Sequence, residues 1–225
     1  MKIHYIYHSC FLVETKEYYF IFDYYKGTLP PLDTDKPILV FSSHFHADHY
    51  NPTIFFILKE LGMKHIRGVL SKDIPSKKYP EDIPVTTVTH HRTYFPAAHV
   101  TVETLLSTDA GVAFLLTCPE GTIYHAGDLN DWVWEGETQQ YNKQMTGSYR
   151  HEITRIKGKN IDTAFLVLDP RQEKHYAGGI TFFLENTKTA RVFPMHYWEQ
   201  PEIIEKFKSE YPRFKPLIQD TETIR

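Results

Sequence analysis

Ser43-His44-Phe45-His46-Ala47-Asp48-His49 gathers three histidines and an aspartate into seven residues. It follows Ile38-Leu39-Val40-Phe41, which is apolar throughout, as a strand buried on both faces should be. It precedes a helix signal, with Asn51 as a good N-cap, Pro52 suited to the first helical position, and an apolar face of Ile54, Phe55, Ile57, Leu58 and Leu61 that stops at Gly62. The run is therefore a strand-to-helix loop. In an extended segment His44 and His46 point the same way and can grip one cation, Asp48 continues that face, and His49 turns elsewhere. The four side chains can then serve two neighbouring metals, and imidazole with carboxylate suits zinc, iron or manganese.

Upstream, strands are expected over Lys2 to Tyr7, Phe11 to Glu14 and Tyr18 to Asp23, joined by turns too short for crossover helices. Downstream, His65 to Leu70 reads as a strand, and Pro75, Pro80 and Pro84 break the next segment into loop. Strands are expected again at Val100 to Leu106, Val112 to Thr117 and Thr122 to His125. Tyr141, Met145, Tyr149, Ile153 and Ile156 recur at steps of four and three, the spacing of an amphipathic helix. Ile161 to Leu168 and Arg191 to Met195 complete the strands, with helices over Ile180 to Asn186 and Pro201 to Glu210. Two sheets packed face to face with helices outside accommodate this order.

At 225 residues the chain is long enough for one sizeable core, so a single domain over 1–225 is expected. A net charge of −3 without charge blocks gives no footprint for nucleic acid or an anionic membrane. The partner expected is a small-molecule substrate. The two cysteines, Cys10 and Cys118, are too few for a disulfide framework and read as buried, reduced thiols. The first residues alternate polar and apolar rather than forming a signal peptide, and the apolar runs are too short to cross a bilayer, so a cytoplasmic location is expected.

The run resembles the His-x-His-x-Asp-His signature of the metallo-β-lactamase superfamily. His8-Ser9-Cys10-Phe11-Leu12-Val13-Glu14 followed by Ile21-Phe22-Asp23 resembles the opening hairpin of that superfamily. Tyr124-His125-Ala126-Gly127-Asp128 is similar to its Gly-Asp turn, and Pro194-Met195-His196 to the end of its last ligand-bearing strand. The resemblance implies an α+β, four-layer αββα sandwich with the site at one edge between the sheets. It also implies metal ligands His44, His46, Asp48, His49, Asp128 and His196, with Asp128 bridging one or two divalent ions, zinc before manganese or iron. Asp48 and Asp128 would be the catalytic carboxylates.

The chain departs from that pattern where the superfamily places a third histidine, for Ser107-Thr108-Asp109-Ala110-Gly111 stands there instead. His90, His91 and His99 lie upstream and several residues out of register. The first metal position is left with His44, His46 and Asp128, helped by Asp109 or a hydroxyl of Ser107 or Thr108. The second keeps Asp48, His49, Asp128 and His196. Trp132, Trp134 and Glu135 should stand beside the metals, Arg171 is a candidate clamp for phosphate or carboxylate, and Tyr176, Tyr197 and Trp198 are further pocket candidates.

The function implied is that of the compact lactonase-like and phosphodiesterase-like branch: hydrolysis of a small organic ester, lactone or phosphodiester through a metal-bound hydroxide. The alternatives are an iron-containing redox or sensing protein of the same fold, and a non-catalytic ligand-binding protein with a degraded first metal position.

Overall fold

The computed structural model describes residues 1–220. Its first sheet has six strands: β1 (Lys2–Tyr7), β2 (Cys10–Glu14), β3 (Tyr19–Phe22), β4 (Ile38–Ser42), β5 (Ile66–Ser71) and β6 (Val85–Val88), in that spatial order. β1, β2 and β3 form an antiparallel meander, whereas β3 to β6 run parallel. Helix α1 (Thr53–Glu60) makes the crossover from β4 to β5. The second sheet comprises β7 (Thr93–Ala97), β8 (Val100–Leu106), β9 (Val112–Cys118), β10 (Gly121–His125), β12 (Thr163–Val167) and β14 (Val192–Met195), in the order β14-β12-β10-β9-β8-β7. A short parallel pair, β11 (Asn160–Ile161) with β13 (Lys188–Thr189), lies apart from both sheets. Helices α2 (Gln139–Thr154), α3 (Gly178–Asn186) and α4 (Glu202–Glu210) belong to the second half.

Side-chain alternation along the first sheet explains why its strands read as continuous apolar runs. Phe11, Val13, Phe20, Phe22, Leu39 and Phe41 face the second sheet and join Val102, Phe114 and Phe165 in the main core. Their neighbours Cys10, Leu12, Tyr19, Ile21, Ile38 and Val40 point the other way, onto Ile54, Phe55 and Leu58 of α1. Both faces of the sheet are dry, so neither can carry polar residues. On the far side of the second sheet Tyr149 and Ile153 of α2 and Ile180 and Phe183 of α3 complete the αββα layering.

Three details differ from the sequence reading. β6 and β7 are additional strands: β6 is short and comes after the proline-rich loop, and β7 is an edge strand that itself contains Pro96. The run from Ser43 to His49 is a series of tight turns rather than an extended segment, with His49 N–H and Tyr50 N–H both donating to the His46 carbonyl at 3.0 and 2.9 Å. Helix α1 begins one residue later than expected, with Pro52 at the N-cap position and Asn51 Oδ1 accepting from Thr53 N–H at 3.1 Å. Cys10 and Cys118 are free and buried, and among the described residues no helix is long and apolar enough to cross a membrane.

Candidate metal centre

The strand ends of both sheets deliver polar side chains to one spot. β4 runs directly into Ser43, β10 into Gly127 and Asp128, and β14 into His196. Two glycines of the second sheet's loops permit this convergence. At Gly111 (φ +66°) a Cβ would lie 1.9 Å from the Ser43 carbonyl oxygen, and at Gly127 (φ +52°) it would lie 2.6 Å from the Ser43 Cβ. Only a residue without a side chain, free to take positive φ, lets these loops close on the histidine run. Val112 N–H then donates to the Ser43 carbonyl at 3.0 Å, tying the second sheet to the metal loop.

Among the described residues, two groups of potential ligand atoms result. One comprises His44, His46, Asp109 and Asp128, and the other His8, Asp48, His49 and His196; within each, the donor atoms lie within 4.8 Å of one another. In the first, His44 Nε2 is 3.0 Å from His46 Nδ1 and 3.4 Å from Asp128 Oδ2, and His46 Nδ1 is 3.8 Å from Asp109 Oδ2. Beside the second, Asp128 Oδ1 lies 3.2 Å from His49 Nε2 and 3.4 Å from His196 Nε2. The two oxygens of Asp128 thus face different groups, which is the arrangement of a bridge.

A divalent ion fits these gaps. Donors about 2.1 Å from a common ion stand about 3.0 Å apart at a right angle and about 3.4 Å apart at a tetrahedral one. His8 Nε2, His49 Nε2 and Asp128 Oδ1 are all buried without a hydrogen-bond partner, although buried polar atoms are nearly always paired. All three border the same gap.

Hydrogen bonds behind the ligands set their tautomers. Asp23, fully buried, accepts from Ser43 N–H and Oγ–H at 2.7 Å each and from His49 Nδ1–H at 2.8 Å. With its proton committed to Asp23, Ser43 Oγ accepts from His44 Nδ1–H at 2.9 Å. On the other side His196 Nδ1–H donates to Asp169 Oδ2 at 2.9 Å, and Asp169 is itself held by Arg171 Nε at 2.9 Å. His44, His49 and His196 therefore all present an Nε2 lone pair to the centre. Replacing Asp23 by asparagine is expected to weaken metal binding roughly 10- to 100-fold, because one donor to it would lose its acceptor and His49 its orientation. Calorimetric titration of the chelator-stripped variant with zinc checks this, and wild-type affinity would contradict it.

The electrostatics point the same way. Burial pushes the His49 and His196 pKa values down, and takes that of His44 to about 2, so these imidazoles are neutral, the form a metal ligand requires. Asp128 is pushed well up, first by burial and then by the negative charges of Asp109, Asp23, Asp48 and Asp169. Asp48 is also penalised by burial, but neighbouring His8 and the field of His49 hold it well below the usual carboxylate range. A cluster of carboxylates among neutral imidazoles is relieved by a cation.

Six residues singled out from sequence, His44, His46, Asp48, His49, Asp128 and His196, are brought together here. Asp109 occupies the place of the absent third histidine, whereas Ser107 Oγ accepts from Asp109 N–H and Thr108 Oγ1 donates to the Asn130 carbonyl. His8 escapes sequence reasoning as a site residue. Its only sequence signal is a histidine at the first hairpin turn, two strands away from the recognisable run. His91 pairs with Glu152 and His99 is exposed beside Glu17, both outside the two groups.

A cavity of about 150 Å³ adjoins the centre, lined by Thr108, Asp109, Asp128, Trp132, Trp134, Tyr141, Met145, Arg171 and His196. Trp132 donates from Nε1 to the Asp128 carbonyl at 2.8 Å and lies parallel to Trp134, ring centroids 5.7 Å apart. Trp198 rests 4.3 Å from the His8 ring and 4.7 Å from the Arg171 guanidinium. Four expected pocket residues do not line it, Trp198 among them. Glu135 is drawn outward to Lys174 and His175, Tyr176 is buried with its hydroxyl on Glu210, and Tyr197 is buried against Tyr5.

Fold and centre together define a metallo-hydrolase fold with clustered histidine and aspartate side chains. Residues 2–143 match the beta-lactamase superfamily domain, well over half of the chain, and the chain belongs to that family. Among solved structures it is similar to Igni18, a metallo hydrolase of the hyperthermophilic archaeon Ignicoccus hospitalis, with a TM-score of 0.60, 16% identity, and 96% of this chain and 93% of the other covered. A Parabacteroides distasonis protein assigned as a metal-dependent hydrolase is equally similar, at TM-score 0.60 and 16% identity over 96% of this chain and 90% of that one. CmlA of Streptomyces venezuelae, a diiron beta-hydroxylase, shares the fold at TM-score 0.55 and 13% identity, with 86% of this chain matched to 44% of CmlA. No curated protein matches by sequence.

Proposed function

We propose that the protein is a metal-dependent hydrolase of a small organic ester, lactone or phosphodiester, working with two divalent ions. The observation that carries this reading is Asp128, buried and splitting its two oxygens between the two ligand groups. His44, His46, Asp109 and Asp128 would hold one ion, and Asp48, His49, His196 and Asp128 the other. Bound there, such ions supply a water that is deprotonated near neutral pH and an electrophilic rest for the oxygen of the scissile bond.

The chain's own groups do the rest. Asp48, kept ionised, orients the attacking water by accepting a hydrogen bond from it. Asp23 and Asp169 hold the His49 and His196 rings so that their Nε2 atoms stay aimed at the centre. Trp132, Trp134 and Tyr141 offer flat apolar walls, and Arg171 supplies positive charge at the cavity rim. A space of about 150 Å³ suits a compact acyl or phosphoryl group, with the remainder of the substrate in solvent.

The test is a release assay with lactones and bis-nitrophenyl phosphate on zinc- and manganese-loaded protein. Turnover should disappear with chelator and fall at least roughly 100-fold in His46→Ala. Turnover of neither substrate class would sink the reading. Metal at 100 times its Kd should also stabilise the stripped protein by about 2.7 kcal/mol, read as a rise in Tm, and no rise would count against a metal centre.

A second reading, an iron-containing redox protein, is favoured by the carboxylate content of the first group, where Asp109 adds an oxygen donor. Iron with a visible absorption band in protein purified without chelator would decide for it. Metal-bound protein with no turnover, yet stabilised by phosphorylated ligands, would instead mark a binding protein.

A further inference from the structure

The second ligand group is richer than hydrolysis with a tetrahedral ion requires. It contains His8, Asp48, His49 and His196, and Asp128 Oδ1 adds a fifth donor between His49 and His196. His8 comes from the turn between β1 and β2, at φ +55°, and is 3% exposed. Its ring lies 4.3 Å from that of His196 and 5.8 Å from that of His49, and its Nε2 is 3.5 Å from Asp48 Oδ2. That nitrogen is buried and has no hydrogen-bond partner. An imidazole present only for packing would turn its nitrogens to a donor or acceptor, since a polar atom buried unpaired is destabilising.

The turn is also anchored to the centre. His8 N–H donates to the Tyr5 hydroxyl at 2.9 Å, the His8 carbonyl faces His196 N–H at 3.5 Å, and the Ser9 carbonyl accepts from His125 Nε2 at 2.9 Å. These bonds hold the backbone in a left-handed conformation that few residues adopt, and the outcome is that Nε2 points among the other donors.

We infer that His8 is a metal ligand, making the second position a five-donor site that holds a five- or six-coordinate ion, while the first position keeps four donors. The inference rests on reading the cluster as a metal centre. Three imidazoles and two carboxylates exceed the four ligands of a closed zinc site and match ions that accept higher coordination, such as manganese, iron and cobalt. The first position, in contrast, ends on His46 and Asp109, whose side chains are 39% and 50% exposed. Its ion should bind more weakly and exchange faster. The protein is thus built to bind its two ions sequentially, the first into the pocket closed by His8.

Cobalt titration of chelator-stripped protein tests this without relying on turnover. Wild type should take up a first equivalent tightly with the weak visible band of a five- or six-coordinate ion, then a second, weaker equivalent. His8→Gly, which accepts φ +55° without strain, should lower affinity for the first equivalent by at least roughly 10-fold. Its band should intensify several-fold as the coordination becomes tetrahedral. Asp109→Asn should weaken only the second equivalent. Should the glycine variant fold poorly, His8→Asn tolerates the same backbone conformation and carries the same expectation. Unchanged affinity and band in the His8 variants, or an intense tetrahedral band for the first equivalent in wild type, would overturn the inference while leaving the metal centre intact. Failure of wild type to take up cobalt at all would overturn both.

Discussion

Asp128→Asn is expected to abolish dinuclear metal binding and to reduce any hydrolytic turnover by at least roughly 10³-fold, the scale of losing a main electrostatic element of a catalytic site. The reason is geometric. Oδ2 faces His44 and Oδ1 faces His49 and His196, so one substitution removes a donor from both positions. The effect on the metal-free protein should have the opposite sign. Burial and four neighbouring carboxylates raise the Asp128 pKa well above its unfolded value. A carboxyl raised in the folded state adds stability below its unfolded pKa, and loses it as pH rises through the folded value. At neutral pH, above the unfolded value, the raised pKa therefore costs the stripped protein stability, and asparagine should leave its Tm unchanged or higher. Melting curves of wild type and variant, with and without zinc, read both effects. A variant that still gains the wild-type increment from zinc would refute the bridging role.

Gly111→Ala carries the second large effect. A Cβ there would sit 1.9 Å from the Ser43 carbonyl oxygen and 2.7 Å from the His44 Cβ, at a φ of +66°. Overpacking costs about 1–3 kcal/mol and left-handed strain about 1–2 kcal/mol, so a loss of about 3 kcal/mol or more is expected in urea unfolding. The obstacle is backbone, which cannot turn aside. Any relief must come from moving the loop that carries Asp109 away from the loop that carries His44, so the first metal position should fail even in protein that remains folded. A stability within about 0.5 kcal/mol of wild type would show that the two loops do not need this contact.

The sequence carries much of the frame. Strands such as Ile38-Leu39-Val40-Phe41 are legible because a sheet covered on both sides demands unbroken apolar side chains, and α2 because Tyr149 and Ile153 recur on one face. β6 and β7 are hidden: β6 comes after three prolines in loop, and in β7 Pro96 breaks the strand signal while edge exposure relaxes the alternation. The run from Ser43 to His49 announces chemistry through its composition, although its backbone is a set of turns and not the extended segment that the His44 and His46 spacing suggests. Its first residue carries no metal-binding signal, yet the Ser43 side chain links His44 to Asp23 and its carbonyl meets Val112 N–H.

Most of the strands and helices, and the presence of a histidine and aspartate cluster at a strand-to-helix loop, are legible from sequence, since local periodicity and dense metal-binding side chains need no partner to be recognised. Which residues join Asp128 and His196 at the centre, and that Asp109 rather than Ser107 or Thr108 fills the first position, follow only from tertiary packing. His8 from the first hairpin turn, Asp23 behind His49, Asp109 in the absent histidine's place and Asp169 behind His196 reach the centre through the packing of two sheets. Each is one polar residue in a turn with no periodicity of its own. Its role arises from the few ångströms across which folding brings it to the other donors.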